Sequence, residues 1–165
     1  MTRPLFRTAL AVAAAALVAS SYNAHAGLWE EGYEAYQRKD YASAVAQWRV
    51  VAQSGNREAQ SLVGLMYFQG QGVAQNYPQA IEWLLKAAAQ GEPKAQFKLG
   101  SMYANGQGFT RDYQRAAMWF VIAADSGHPN ASKELTKASA ELSDNEIAIA
   151  KRLAKTCVKR EFKDC

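Results

Sequence analysis

The sequence predicts an all-α fold, a short α/α solenoid in which antiparallel helix pairs stack into a right-handed superhelix. Three observations support this prediction. Residues 59–94 and 95–130 are two copies of one 36-residue unit, identical at 15 of 36 positions. Within each copy the apolar residues recur at helical spacing, and a G-x-G segment divides the copy into two helices. A unit this short cannot bury its apolar face alone, so the copies must stack on one another.

The first 26 residues have the three parts of a secretory signal peptide. Arg3 and Arg7 form a basic start, residues 9–19 are apolar, and Ala24 and Ala26 supply small side chains before the expected cleavage site. The apolar stretch is too short to span a bilayer. We therefore expect an exported single domain over residues 27–165 that contains no transmembrane span.

Residues 28–58 indicate a shortened repeat before the two full copies. Tyr41 lies 36 residues before Tyr77, whereas Gly32 lies only 32 residues before Gly64. The four missing residues are those of the G-x-G loop. The prediction is a tight helical hairpin that caps the N-terminal end of the array.

Each full copy opens with a helix that carries a glycine in its middle. Such a glycine costs about 1 kcal/mol relative to alanine, so we interpret it as a crossing point where another helix comes close. The G-x-G segment ends the helix, because glycine adopts positive φ without strain. A nucleotide-binding G-x-G would follow a strand, and these follow a helix. The predicted structural positions are Gly64, Tyr67, Gly70 and Gly72, and in the second copy Gly100, Tyr103, Gly106 and Gly108.

The second helix of each copy begins at a tyrosine preceded by an N-cap residue, Asn76 or Asp112. Its inward face is predicted to hold small alanines and one tryptophan, Trp83 or Trp119, which fills the wedge between repeats. The glycines predicted to end these helices are Gly91 and Gly127.

Residues 131–165 are predicted to form a C-terminal cap. Residues 143–146 indicate a capping box at the start of its last helix. The two cysteines of the chain, Cys157 and Cys165, lie in this cap, and export to an oxidising compartment favours a disulfide. The sequence leaves open whether that bond forms within one chain or between two, whether the thiols stay free, and hence the oligomeric state. The side chains expected to be buried on the last helix are Ile147, Ala150, Leu153, Ala154, Cys157 and Val158.

The pattern A-x4-G-x-M-Y-x2-G-x-G, followed by Y-x2-A-x2-W-x3-AA-x2-G, closely resembles the SEL-one-like repeat, a relative of the tetratricopeptide repeat. The resemblance covers residues 59–130 and, more weakly, residues 28–58. It implies an α/α superhelix and a scaffold or adaptor role in assembling other proteins. With the signal peptide it also implies the bacterial periplasm. Cysteine-rich members associated with penicillin binding or hydrolysis carry a cysteine pair in every repeat, and these repeats contain none.

No group of residues in the sequence predicts catalysis, a cofactor or a metal site. His128 is the one histidine after residue 26, in a turn between repeats, and one histidine without matched ligands does not form a zinc site. Residues 143–145 spell the SDN element of penicillin-recognising enzymes, but S-x-x-K and K-T-G are missing. We therefore predict a non-enzymatic protein; the alternative is an enzyme that acts on β-lactams or cell-wall peptides.

Partner binding is predicted on the opening helices, which line the concave surface in related solenoids. The partner expected there is a protein or peptide of the cell envelope. Phe68 and Phe97 are of special interest because aromatic anchors often dominate interfaces; the competing interpretation is that an adjoining helix covers them. The predicted contact residues face away from the core and differ between copies: Ser61, Leu65, Phe68, Phe97, Ser101 and Ala104.

The charge of the chain does not favour nucleic acid as a partner. The sequence has 19 basic and 15 acidic residues, a net charge of +4. Without Arg3 and Arg7 the balance is 17 to 15, or +2, and the excess lies in residues 151–165. This basic segment supports an alternative function, attachment to an acidic envelope surface such as lipid headgroups. Solubility explains the same charges equally well.

Overall fold

The computed structural model describes residues 26–162 of the 165-residue chain. Most of the predicted signal peptide, and Cys165, lie outside the described residues. Residues 26–162 contain only helices and turns, which confirms the all-α prediction. The helices are α1 over residues 26–37, α2 Tyr41–Gln53, α3 Arg57–Gln69, α4 Tyr77–Ala89, α5 Pro93–Asn105, α6 Tyr113–Asp125, α7 Ala131–Ser139 and α8 Asp144–Lys159.

From α2 to α7 each helix packs against the next one along the chain, as a solenoid requires. α3 also contacts α5 of the following repeat, and α8 returns to pack against α6. The apolar core follows this order as two clusters. One cluster surrounds Trp48 and includes Trp83, and the other surrounds Trp119.

The helix starts follow from side-chain caps. The carboxylate or amide oxygens of Asp40, Asn56, Asn76 and Asp112 each accept a hydrogen bond from the backbone N–H three residues on. The predicted caps of α4 and α6 are therefore confirmed. The capping box of α8 is also present, with Ser143 and Glu146 bonding each other's backbone.

The mid-helix glycines mark helix crossings, as predicted. A Cβ at Gly64 would lie 2.8 Å from Cγ of Leu84, and one at Gly100 would lie 2.8 Å from the ring of Phe120. Both positions therefore leave room for a large side chain of the second helix of the same repeat. The other core positions predicted in the two full repeats are buried, except that Tyr67 and Ala124 are half-buried.

The two glycines of each G-x-G segment have different roles. Gly70 and Gly106 adopt the left-handed conformation that caps α3 and α5. Gly72, one glycine further, lies against the backbone of Tyr41, the first residue of α2. In the next copy, Gly108 lies against Tyr77, the first residue of α4, at 2.8 Å from an added Cβ to Cβ of Tyr77. The second glycine therefore allows close contact between each repeat and the preceding one.

Helix α8 buries less of its apolar face than the sequence predicts. Ala150, Ala154 and Cys157 are buried, but Leu153 and Val158 are 39% and 51% exposed. The prediction of burial is wrong for these two residues, because α8 contacts α6 along a narrow stripe of small side chains and no further helix among residues 26–162 covers its other apolar positions. Cys157 is buried and is not a free thiol, while its pairing with Cys165 stays a prediction.

Candidate functional site

The predicted contact residues lie on the side of α3 and α5 that the core leaves partly uncovered. Leu65 and Phe68 on α3, and Phe97, Ser101 and Ala104 on α5, are all half-buried. Because α3 and α5 touch each other across the repeat boundary, these side chains form one surface. The α3–α5 face is defined here by six residues, the five just named together with Lys98.

Ser61 does not belong to this face. The prediction that it faces away from the core is wrong, because Ser61 is 2% exposed. Among residues 26–162 its Oγ has no hydrogen-bond partner. Phe97 holds the same position one repeat later and is half-buried. A serine is too short to extend past the neighbouring helices where a phenylalanine does.

Both phenylalanines of the face are packed on one side. The ring centroid of Phe68 lies 5.4 Å from that of Tyr77. Phe97 lies 5.5 Å from Phe120 and stacks on the imidazole of His128 at 4.0 Å, with 10° between the ring planes. Neighbouring rings therefore cover part of each phenylalanine, and both residues are half-buried rather than fully covered.

His128 lies in the turn between repeats and is half-buried against Phe97 of the α3–α5 face. Its Nδ1 accepts a hydrogen bond from the backbone N–H of Asn130 at 3.3 Å. Burial, followed by the positive charge of Lys94, lowers the pKa of His128 below its ordinary value. The imidazole is therefore mainly neutral at neutral pH and stacks on Phe97 as an uncharged aromatic ring.

Lys98 is the charged residue of the face, and it was not among the contact residues predicted from the sequence. Its Nζ lies 3.2 Å from the centroid of the Phe68 ring, which is cation–π contact. Within residues 26–162 no carboxylate forms an ion pair with it. Burial lowers the pKa of Lys98 to about 8. The signal available in the sequence was the change from Leu62 to Lys98 at equivalent positions of the two copies.

The lowered pKa of Lys98 predicts a specific pH dependence of stability. Because folding lowers this pKa from the ordinary 10.5 to about 8, the folded chain binds fewer protons than the unfolded chain between these pH values. The free energy of unfolding should therefore rise with pH in this window, relative to a Lys98→Met variant. Solvent screening of the half-buried amine reduces the expected gain to about 1 kcal/mol.

This dependence is measured by urea denaturation of both proteins at pH 7, 9 and 10.5. Subtracting the variant removes the contribution of tyrosines, which titrate in the same range. A difference between the two proteins that does not change with pH would show that the amine is not desolvated.

The face continues toward α7 as a small cavity of about 220 Å³. Ala104 lies at its edge, and Glu134, Lys137 and Glu141 supply charges from α7 and the turn after it. Lys137 and Glu134 already form an ion pair at 2.7 Å. The cavity is therefore a polar end to the apolar α3–α5 face.

No three His, Cys, Asp or Glu residues of residues 26–162 lie together as metal ligands would. No helix in that range has both the length and the apolarity needed to cross a bilayer. The α3–α5 face presents aromatic rings, small side chains and one ammonium group that forms no ion pair among the described residues.

Comparison with known proteins agrees with this architecture. The family model described as Sel1 repeat matches residues 57–92 and 93–128, each match beginning two residues before the predicted repeat. No curated protein sequence matches the chain.

Two solved structures have the same fold. One is the crystal structure of c5321, a protective antigen present in uropathogenic Escherichia coli strains that displays an SLR fold, with 26% identity and a TM-score of 0.76 over 84% of this chain. The other is a Sel1 repeat protein from Oxalobacter formigenes, with 35% identity and a TM-score of 0.63 over 68% of this chain. The chain spans 31% of the first protein's length and 46% of the second's.

Proposed function

The chain carries two Sel1 repeats and is a Sel1-repeat protein, and from this premise we propose that it is an exported, non-catalytic adaptor. Its α3–α5 face binds a protein or peptide of the cell envelope. Proteins of this family are typically protein-interaction scaffolds. Export and an envelope location are supported by the pattern of residues 1–26.

The observation that carries the proposal is the ammonium of Lys98, which lies on the ring of Phe68 and forms no ion pair within residues 26–162. A half-buried charge without a counter-ion costs free energy, and that cost is recovered when a partner supplies a carboxylate. The aromatic and small side chains around Lys98 provide the apolar contact area. The partner should therefore present an acidic group beside an apolar segment.

The variation between copies supports the same location. Most of the glycines, alanines and aromatic residues predicted at core and turn positions are the same in both repeats, whereas Leu65 and Phe68 correspond to Ser101 and Ala104. Packing explains the identical positions. Packing does not fix the residues at the differing positions, so these can contact the partner. Because they differ, the two repeats contribute different contacts to the binding face.

Reversing the charge of Lys98 tests the proposal. The purified domain is immobilised, incubated with a solubilised envelope fraction and compared with Lys98→Glu by quantitative mass spectrometry. Because a partner carboxylate would then meet a glutamate, we expect recovery of the bound protein to fall by more than about ten-fold, which corresponds to 1.4 kcal/mol or more.

Lys133→Glu is the matched control, because Lys133 is an exposed lysine of α7 outside the face and its replacement changes the net charge equally. This variant should recover the partner as the unaltered protein does. If Lys98→Glu recovers as much of the bound protein as the unaltered domain does, the α3–α5 face is not the binding site. Substitutions of Phe68 or Phe97 are less suitable, because both rings also pack on the core.

Helix α8 supports a second candidate function, attachment to an anionic surface. Its exposed side includes Lys151, Arg152 and Lys155, together with the exposed Leu153 and Val158. Basic and apolar groups on one helix are typical of interfacial binding. Binding to vesicles of anionic lipid that disappears at high salt would distinguish this function from the adaptor role.

A further inference from the structure

A cavity of about 490 Å³ lies between the second full repeat and helix α8, on a different part of the molecule from the α3–α5 face. The repeat side of the cavity is formed by Gly91, Gln96 and Ser126. The α8 side is formed by Val158 and, just after the helix, Phe162. Lys155 and Lys159, both exposed, stand at the same wall.

Gln96 contributes a buried acceptor to this cavity. Its side chain is fully buried, and its Nε2 donates to the carbonyl oxygen of Ala88 at 3.2 Å. Its Oε1 has no hydrogen-bond partner among residues 26–162. A buried carbonyl oxygen without a donor is costly, so a polar group that enters the cavity and donates to it gains a hydrogen bond.

The preceding repeat shows which group fits. Gln60 holds the equivalent position and donates to Ala52 at 3.1 Å, as Gln96 does to Ala88. There the side-chain amide of Gln90 donates to Oε1 of Gln60 at 2.8 Å and to the carbonyl oxygen of Gly55 at 3.0 Å. One primary amide therefore satisfies two acceptors at once.

In the second repeat that amide is missing. The residue 36 positions after Gln90 is Ser126, whose side chain carries no amide, and the residue 36 positions after Gly55 is Gly91. Both line the cavity beside Gln96. The cavity therefore contains the place where the glutamine amide lies one repeat earlier.

We propose that this cavity binds the side chain of a glutamine from a partner peptide. The primary amide donates to Oε1 of Gln96 and to the carbonyl oxygen of Gly91, and its methylene groups lie against Val158 and Phe162. Lys155 and Lys159 outnumber Asp125, the one acidic residue of the lining, and so favour acidic residues beside that glutamine. A peptide suits the site better than free glutamine, because the zwitterionic amino acid brings no net negative charge to the two lysines, whereas acidic neighbours of a peptide glutamine do.

The ligand-free protein provides the first test. In Ser126→Gln the chain carries its own amide at this position, and the backbone there matches Gln90, with φ −84° and ψ 1° against φ −93° and ψ 10°. We expect a rise in Tm of about 3 °C, the effect of one added hydrogen bond in a domain of this size. Ser126→Ala, which adds no donor, should show no rise. A Ser126→Gln protein that melts no higher than Ser126→Ala would overturn the proposed geometry.

The second test uses the peptide acetyl-Glu-Leu-Gln-Leu-Glu with a C-terminal dimethylamide, and a copy in which methionine replaces the glutamine. Because the dimethylamide has no N–H, the glutamine side chain is the one primary amide in the peptide. Calorimetric titration of the full domain should show binding of the glutamine peptide at least about five-fold tighter than the methionine peptide, the equivalent of one hydrogen bond. Ser126→Gln should abolish binding, and free glutamine should bind more weakly than the peptide.

Equal binding of the two peptides, binding that survives Ser126→Gln, or no binding by the unaltered domain would each overturn the proposal. The Lys98→Glu variant should bind the peptide normally. The outcome is therefore independent of whether the α3–α5 face binds the envelope partner.

Discussion

Replacing Gly72 with alanine is expected to lower the free energy of unfolding by about 3 to 4 kcal/mol. Gly72 has φ +70°, a conformation that costs an L-residue roughly 1 to 2 kcal/mol. The added Cβ would also overlap the backbone carbonyl group and the next peptide nitrogen at the start of α2, between Tyr41 and Ala42. Backbone cannot move aside as a side chain does, so overpacking adds about 2 kcal/mol.

Gly91→Ala is the matched control for this prediction. Gly91 has a similar φ of +77°, but a Cβ added there meets nothing within 4 Å. It should therefore cost only the conformational part, about 1 to 2 kcal/mol. Urea denaturation followed by circular dichroism measures both variants. Equal losses would mean that Gly72 serves only as a turn residue and does not join two repeats.

Replacing Trp48 with alanine should cost about 4 kcal/mol and separate the first hairpin from the array. The Trp48 side chain is 2% exposed and packs beneath Gly32 of α1. Its ring centroid lies 6.0 Å from that of Trp29 and 5.5 Å from that of Tyr36, and its Nε1 donates to the carbonyl oxygen of Trp29 at 3.3 Å. Truncating a buried tryptophan leaves a large cavity, which costs about 3 to 5 kcal/mol.

Because a solenoid is held together by contacts between neighbouring repeats, the loss should be local. Native-state hydrogen exchange should show faster exchange in α1 and α2, while α5 and α6 keep their protection. Trp29→Ala, which removes a half-buried ring from the same hairpin, should cost less than half as much. Uniform loss of protection from α2 to α8 would contradict this account of the first hairpin.

The sequence predicted the parts of the fold that depend on one repeat alone. The period of 36 residues identified the two copies, and glycines in mid-helix identified the crossings at Gly64 and Gly100. N-cap residues gave the starts of α4 and α6. Each of these features depends on local geometry, which a one-dimensional pattern contains.

Features that depend on the neighbouring repeat were harder to predict. The contact of Gly72 with Tyr41 joins residues of different repeats, and no spacing within one copy indicates it. Ser61 was expected at the surface because helical spacing places it on the side of α3 away from the predicted core. That spacing does not show how far the neighbouring helices extend over a short side chain, and Ser61 is buried. Comparing copies position by position would have found Lys98 and Ser126, which differ from Leu62 and Gln90. Residues that break the repeat are therefore as informative as those that keep it.

The central claim, that the α3–α5 face holds the partner, is tested most directly by photocrosslinking in living cells. Benzoylphenylalanine is placed at Ser101 or Ala104 on the face, and at Lys133 on α7 as the control, one position at a time. Both face positions should crosslink to the same envelope protein, and position 133 should not. Crosslinks to that protein from position 133 alone, or none from either face position, would show that the partner does not bind at this face.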